Sequence, residues 1–159
     1  MPIVGPSAKA VDLQNVKTNL SWSGWKTLSP TSLPPTTEQG VYILRSNQPI
    51  GRLRGESDVL YVGITKSHKD GLKNRIENHA IASNAENVHP SSASRYLATD
   101  LMQQIGIQVE YSCAVVHGKE DRNIIERDLL KFYREHHIEL PPGNACMPEG
   151  GYEPLSLRP

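Results

Sequence analysis

Two apolar, β-branched runs stand close together in this chain, "VYILR" at 41–45 and "VLYVGIT" at 59–65. Their composition and length are those of strands. The stretch between them, "SNQPIGRLRGESD", carries turn formers and Pro49, which suits a long hairpin loop or the tip of an extended hairpin. The two runs are therefore expected side by side, with the rest of the chain packed on them. Successive strand residues face opposite sides, so Tyr42 shares a face with Leu44 and Tyr61 shares one with Gly63. A glycine beside a tyrosine leaves open space next to the ring.

"DGLKNRIENHAIAS" (70–83) predicts a helix with Asp70 at its N-cap and Leu72, Ile76 and Ala80 on one stripe. Arg75 and His79, four residues apart, are neighbours along the edge of that stripe. "RYLATDLMQQIG" (95–106) reads as a shorter helix ended by Gly106, and "IQVEYSCAVV" (107–116) alternates as a strand. "EDRNIIERDLLKFYREHH" (120–137) is the longest helix. Ile125, Leu129, Leu130 and Phe132 define its apolar arc, with Arg127, Lys131, Arg134 and Glu135 opposite. Glu126 falls inside the arc, between Leu130 and Tyr133, where a carboxylate needs a partner or a cation. His136 and His137 suit the negative end of the helix dipole. The chain then turns through "ELPPGNACMPEGG", which presents Asn144.

Residues 1–39 read as an arm with little regular structure, extended through "SPTSLPPTT" (29–37). Trp22 and Trp25 need an apolar surface, so the arm is expected to strap onto a domain spanning 40–159. The order strand, strand, helix, helix, strand, helix predicts a small α/β domain with a three-stranded antiparallel or mixed sheet flanked by helices.

At 159 residues, 37% of them hydrophobic, the chain can bury one sizeable core and has no run long enough for a membrane helix. The first residues lack the basic, apolar, small-residue series of a secretory signal, and Cys113 and Cys146 form neither a metal-ligand spacing nor a disulfide framework. A cytoplasmic, reduced protein is expected. A formal net charge of zero argues against nonspecific coating of nucleic acid. The basic excess is local: residues 40–79 carry seven basic side chains against four acidic ones.

Taken together, these residues resemble the GIY-YIG nucleases. That family shows a Gly-Ile-Tyr strand, a Tyr-Ile-Gly strand, an arginine on the next helix, a glutamate on a later helix and then an asparagine. Here stand "GVY" at 40–42, "YVG" at 61–63, Arg75, Glu126 and Asn144, in that order over about residues 40–146. Valine replaces isoleucine in both tripeptides, and residues 45–58 look like an insertion. His79 matches the histidine that restriction-type members carry four residues after the arginine.

The resemblance implies hydrolysis of DNA phosphodiesters with one divalent metal, magnesium or manganese, held by Glu126. It implies Tyr42 as general base, Arg75 on the scissile phosphate, Tyr61 and His79 orienting water and phosphate, and Asn144 completing the site. Gly63 would let the DNA backbone approach, Lys66 and Lys73 would contact phosphate, and Arg52 and Arg54 in the insertion would position DNA. The expected partner is DNA, either branched or a sequence-specific duplex, with no membrane association; the oligomeric state stays open. The rival is a catalytically silent nucleic-acid-binding module on the same scaffold. Each residue also has an ordinary use: strand tyrosines pack, a helix arginine pairs with an acid, and an asparagine after Pro-Gly makes a turn.

Overall fold

A computed structural model describes residues 7–66, 71–80, 103–144 and 147–148. The expected hairpin is there, and it is longer than its apolar runs: β2 covers Gly40–Gly51 and β3 covers Glu56–Ile64, antiparallel to each other. The stretch between the runs is thus an extended hairpin, closed by Arg52 N–H donating to Gly55 O at 2.9 Å, with Gly55 at φ 73°. Pro49 interrupts no strand pair, because β2 has no β3 partner between Arg45 and Ile50 and its pairing with β4 ends at Ser46.

Among the described residues the sheet has four strands, where three were expected. Its order is β1-β4-β2-β3, every neighbour antiparallel, with β4 at Val109–Val115 and β1 at Lys26–Thr27. The extra strand comes from the arm. Two residues of β1 pair with β4, and Leu28 N–H continues to Val109 O. Periodicity cannot reveal so short a strand, since it forms only because β4 offers an open edge. The arm also holds a short helix, α1 (Ala10–Gln14). As expected, Trp22 and Trp25 pack against the core, and the Arg45 guanidinium stacks 3.9 Å from the Trp25 ring centroid while pairing with Glu110.

Helix α2 spans Leu72–Ala80 and α3 spans Lys119–His137. Asp70 and most of the helix expected at 95–106 lie outside the described residues; Gly106, at φ 80°, does end that segment. Each face of the sheet buries its own cluster. Val41, Ile43, Val62, Ile64 and Ala114 meet Ile125, Leu129, Leu130 and Tyr133 of α3, together with α1. Tyr42, Leu44, Leu60, Tyr61, Tyr111 and Cys113 meet Leu72, Ile76 and Ala80 of α2. Among the described residues no helix is long and apolar enough to cross a membrane.

His137 does more than answer the dipole of α3. It is fully buried. Its Nε2 lies 3.1 Å from Ala8 N, which can only donate, and its Nδ1 lies 2.6 Å from Arg54 O, which can only accept. The ring is thus held as the Nδ1–H tautomer, tying the arm and the hairpin tip to the end of α3. Ile138 follows in the left-handed region at φ 65°, an uncommon place for a β-branched residue.

Candidate functional site

The β2–β3 register sets Tyr42 opposite Gly63 and Leu44 opposite Tyr61, so all four point to the α2 face. A bulge follows directly: Arg45 pairs with Val59, which leaves Leu60 as an extra residue facing the same way as Tyr61. Gly63 then has a definite task. A Cβ there would overlap the Tyr42 ring and hydroxyl and lie 2.5 Å from Tyr61 Cε1. The space expected for a DNA backbone is filled by the two phenol rings themselves. Gly40 is likewise fixed by close approach, since a Cβ would overlap Ala114 O and come within 2.8 Å of Leu72 Cδ1.

Helix α2 brings His79 onto this pair. Tyr42 Oη and His79 Nε2 are 2.9 Å apart and share a hydrogen bond. The ring centroids lie 5.8 Å (Tyr42–Tyr61), 5.5 Å (Tyr42–His79) and 5.0 Å (Tyr61–His79) apart. The cluster is closed: Tyr42 is 0%, His79 1% and Tyr61 7% exposed. Cys113 pairs with Tyr42 from the other side, on β4. Burial pushes its thiol above the usual range, against a smaller opposing effect of the Ser23 hydrogen bond and Lys26. Burial likewise raises the Tyr111 phenol.

Arg75 sits one helical turn before His79 and is half-buried; Lys73 and Lys66 are exposed, Lys66 just beyond the end of β3. Glu126 is half-buried within the α3 stripe formed by buried Arg122, Leu129, Leu130 and Tyr133, as its projection required. Its helix packs on the sheet face opposite α2, and its first turns are anchored to the end of β3 through Arg122 Nε donating to Thr65 O at 3.0 Å. The helix that carries the carboxylate and the two phenols therefore lie on opposite faces of the sheet, the phenols on the inner strand β2 and the edge strand β3. Among the described residues no three His, Cys, Asp or Glu side chains group to hold a metal. A single carboxylate suits a hard cation that keeps its waters and takes substrate oxygens, and it does not suit a four-ligand zinc site.

Two of the expected site residues, Asn144 and Arg52, are engaged within the fold. Asn144 Oδ1 accepts from Val62 N at 3.0 Å and its Nδ2 donates to Val62 O at 2.9 Å, so the amide pairs with the backbone of β3 between Tyr61 and Gly63. Arg52 is bound to Glu139 at 2.9 Å and to Leu140 O at 2.9 Å, with its side chain only 11% exposed. A guanidinium so engaged is a poor phosphate contact. Arg54 is exposed, with its carbonyl held by His137.

Comparison of the chain with protein-family models, with curated proteins and with solved structures returns no match in any of the three.

Proposed function

We propose that this chain is a divalent-metal-dependent endonuclease acting on DNA, of the GIY-YIG type. The observation that carries the reading is the phenol–imidazole hydrogen bond between Tyr42 and His79, set beside Tyr61 and made possible by Gly63. A phenol with an ordinary pKa of about 10 is a weak base at neutral pH. In the tautomer that leaves Nε2 bare, the Tyr42 hydroxyl donates to His79, and the imidazole is placed to take its proton. Tyr42 can then accept a proton from water. Arg75, a turn earlier on α2, supplies a planar cation for bidentate contact with a phosphate. Glu126 would hold the metal, which when bound neutralises charge on the phosphate and the departing oxygen.

The burial of Tyr42 favours a second reading, a catalytically silent nucleic-acid-binding module, because a base must meet water. The enzyme reading requires α2 or its neighbours to shift and admit the substrate. Supercoiled plasmid incubated with magnesium or manganese should be nicked, chelation should stop the reaction, and Glu126→Ala should abolish cleavage while largely keeping DNA affinity. Binding without cleavage of plasmid, random duplex or branched DNA would leave the silent module. Full cleavage by folded Glu126→Ala would remove Glu126 from the site.

A further inference from the structure

We infer that Gly71 is a positioning residue: by seating the start of α2 on the Thr37 backbone, it sets the His79 imidazole against the Tyr42 hydroxyl. The inference deepens the nuclease reading and rests on it for its effect on cleavage alone.

Arg75 N–H donates to Gly71 O at 3.1 Å, the first helical bond of α2, so Gly71 occupies the N-cap position. A glycine there has no side chain to satisfy the next N–H groups. The arm does so instead. Leu72 N–H donates to Glu38 O at 2.9 Å, and Lys73 N–H donates to Thr36 O at 3.2 Å. These bonds need the two backbones in direct contact. A Cβ on Gly71 would overlap the Thr37 carbonyl and approach Thr37 Cα at 2.8 Å. The obstacle is backbone, so no side-chain rotation relieves it. Gly71 is buried. Space alone is a sufficient reason for glycine here.

The stretch that seats α2 also leads into β2. Thr36 and Glu38 receive the helix, and Gly40 opens the strand that carries Tyr42 two residues later. Both halves of the phenol–imidazole pair are therefore placed from one short piece of chain. His79 lies eight residues from Gly71, about 12 Å along the helix axis. A rigid helix shifted by about 1 Å at its start carries that shift to His79, and a 2.9 Å hydrogen bond stretched by that much is lost.

The test uses the full chain and nitrogen-15 NMR of the histidine ring. In Gly71→Ala the His79 Nε2 signal should lose its hydrogen-bonded shift. Tryptophan fluorescence should report an intact arm. Ile76→Ala, which opens a cavity under the same helix without touching its seat, should lose stability and keep the His79 signal. Should wild type cleave DNA, Gly71→Ala should lose about the 10²- to 10⁴-fold that a general base contributes, and adding Tyr42→Phe should cost little more. A folded Gly71→Ala protein with an unchanged His79 signal would overturn the inference. Where the variant does not fold, hydrogen exchange in wild type decides: Leu72 and Lys73 amides should be protected as well as the middle of α2, and exchange at the open-chain rate would refute the seat. Absence of cleavage in wild type defeats the nuclease reading and leaves the NMR result standing.

Discussion

On one face of the sheet, Val41, Ile43, Val62 and Ile64 meet α3 with aliphatic side chains. On the other, the same strands present Tyr42 and Tyr61 to α2, where a histidine closes over them. Both faces are buried to a similar degree, so burial alone does not explain the contrast. Leucine or valine would fill the α2 face without needing Gly63, a bulge at Leu60 and a hydrogen bond at 2.9 Å across 37 residues of chain. Buried polar groups are costly unless satisfied. A face that concentrates two phenols and an imidazole where hydrocarbon would serve is the place to seek chemistry, and the aliphatic face with its arm is the part that holds the molecule together.

That division can be broken by experiment. The largest effect is expected on the α2 face. Tyr42→Phe keeps the ring and loses the bond to His79, so it should cost about 1–3 kcal/mol of stability. It should slow single-turnover cleavage by about 10²- to 10⁴-fold, roughly 2.7–5.5 kcal/mol of barrier. Tyr61→Phe should lose less. A crippled Tyr61→Phe beside a near-normal Tyr42→Phe would exchange the roles of the two phenols.

The aliphatic face should respond in the opposite sense. Leu129 is fully buried on α3, and Leu129→Ala should destabilise the fold by about 2–5 kcal/mol, read from urea midpoints. Below its unfolding transition the variant should retain the His79 NMR signature. A lost signature would mean that the two faces do not work separately.

The smallest effect concerns the arm. Lys17 reaches Asp128 of α3 at 2.6 Å. Partial burial alone would raise the Asp128 carboxyl; the Lys17 bond and charge, with Arg127, outweigh it and hold the group below the usual carboxylate range. A depressed native value means that the pair's contribution is present at neutral pH, above the unfolded carboxylate value of about 3.9, and fades as pH falls through the native one. Both side chains are about one-third exposed, so the contribution is at most about 1 kcal/mol. Lys17→Ala should show that small deficit at pH 7 and none in strong acid. An equal deficit at both would assign it to packing.

Local pattern made most elements legible. The apolar, strand-forming runs "VYILR" and "VLYVGIT" and the helical period of "NIIERDLLKFY" come from which residues can face the core; the structure keeps the strands and the helix, with strand alternation broken once at Leu60. The same periods aligned Arg75 with His79 and set Glu126 into the apolar stripe of α3. The contacts that local pattern did not reveal share one cause. β1 exists because β4 leaves an edge, Arg52 is held by Glu139, Asn144 pairs with Val62, and His137 joins Ala8 to Arg54. Each depends on a partner distant in sequence, which periodicity cannot see.

By itself the sequence determined which side chains are available and in what order: Gly40-Val41-Tyr42, Tyr61-Val62-Gly63, Arg75, His79 and Glu126. It also determined which of them share a face, because strand and helix periods are properties of the backbone. Tertiary structure decided that Tyr42 lies opposite Gly63, that one bulged residue turns Leu60 to the side of Tyr61, and that α2 begins on the Thr37 backbone. The reason is steric. Helix seating is settled by whether two distant backbones can approach, which Gly71 permits, and Gly63 leaves the room that the Tyr42 and Tyr61 rings occupy; a Cβ at either position would forbid the contact.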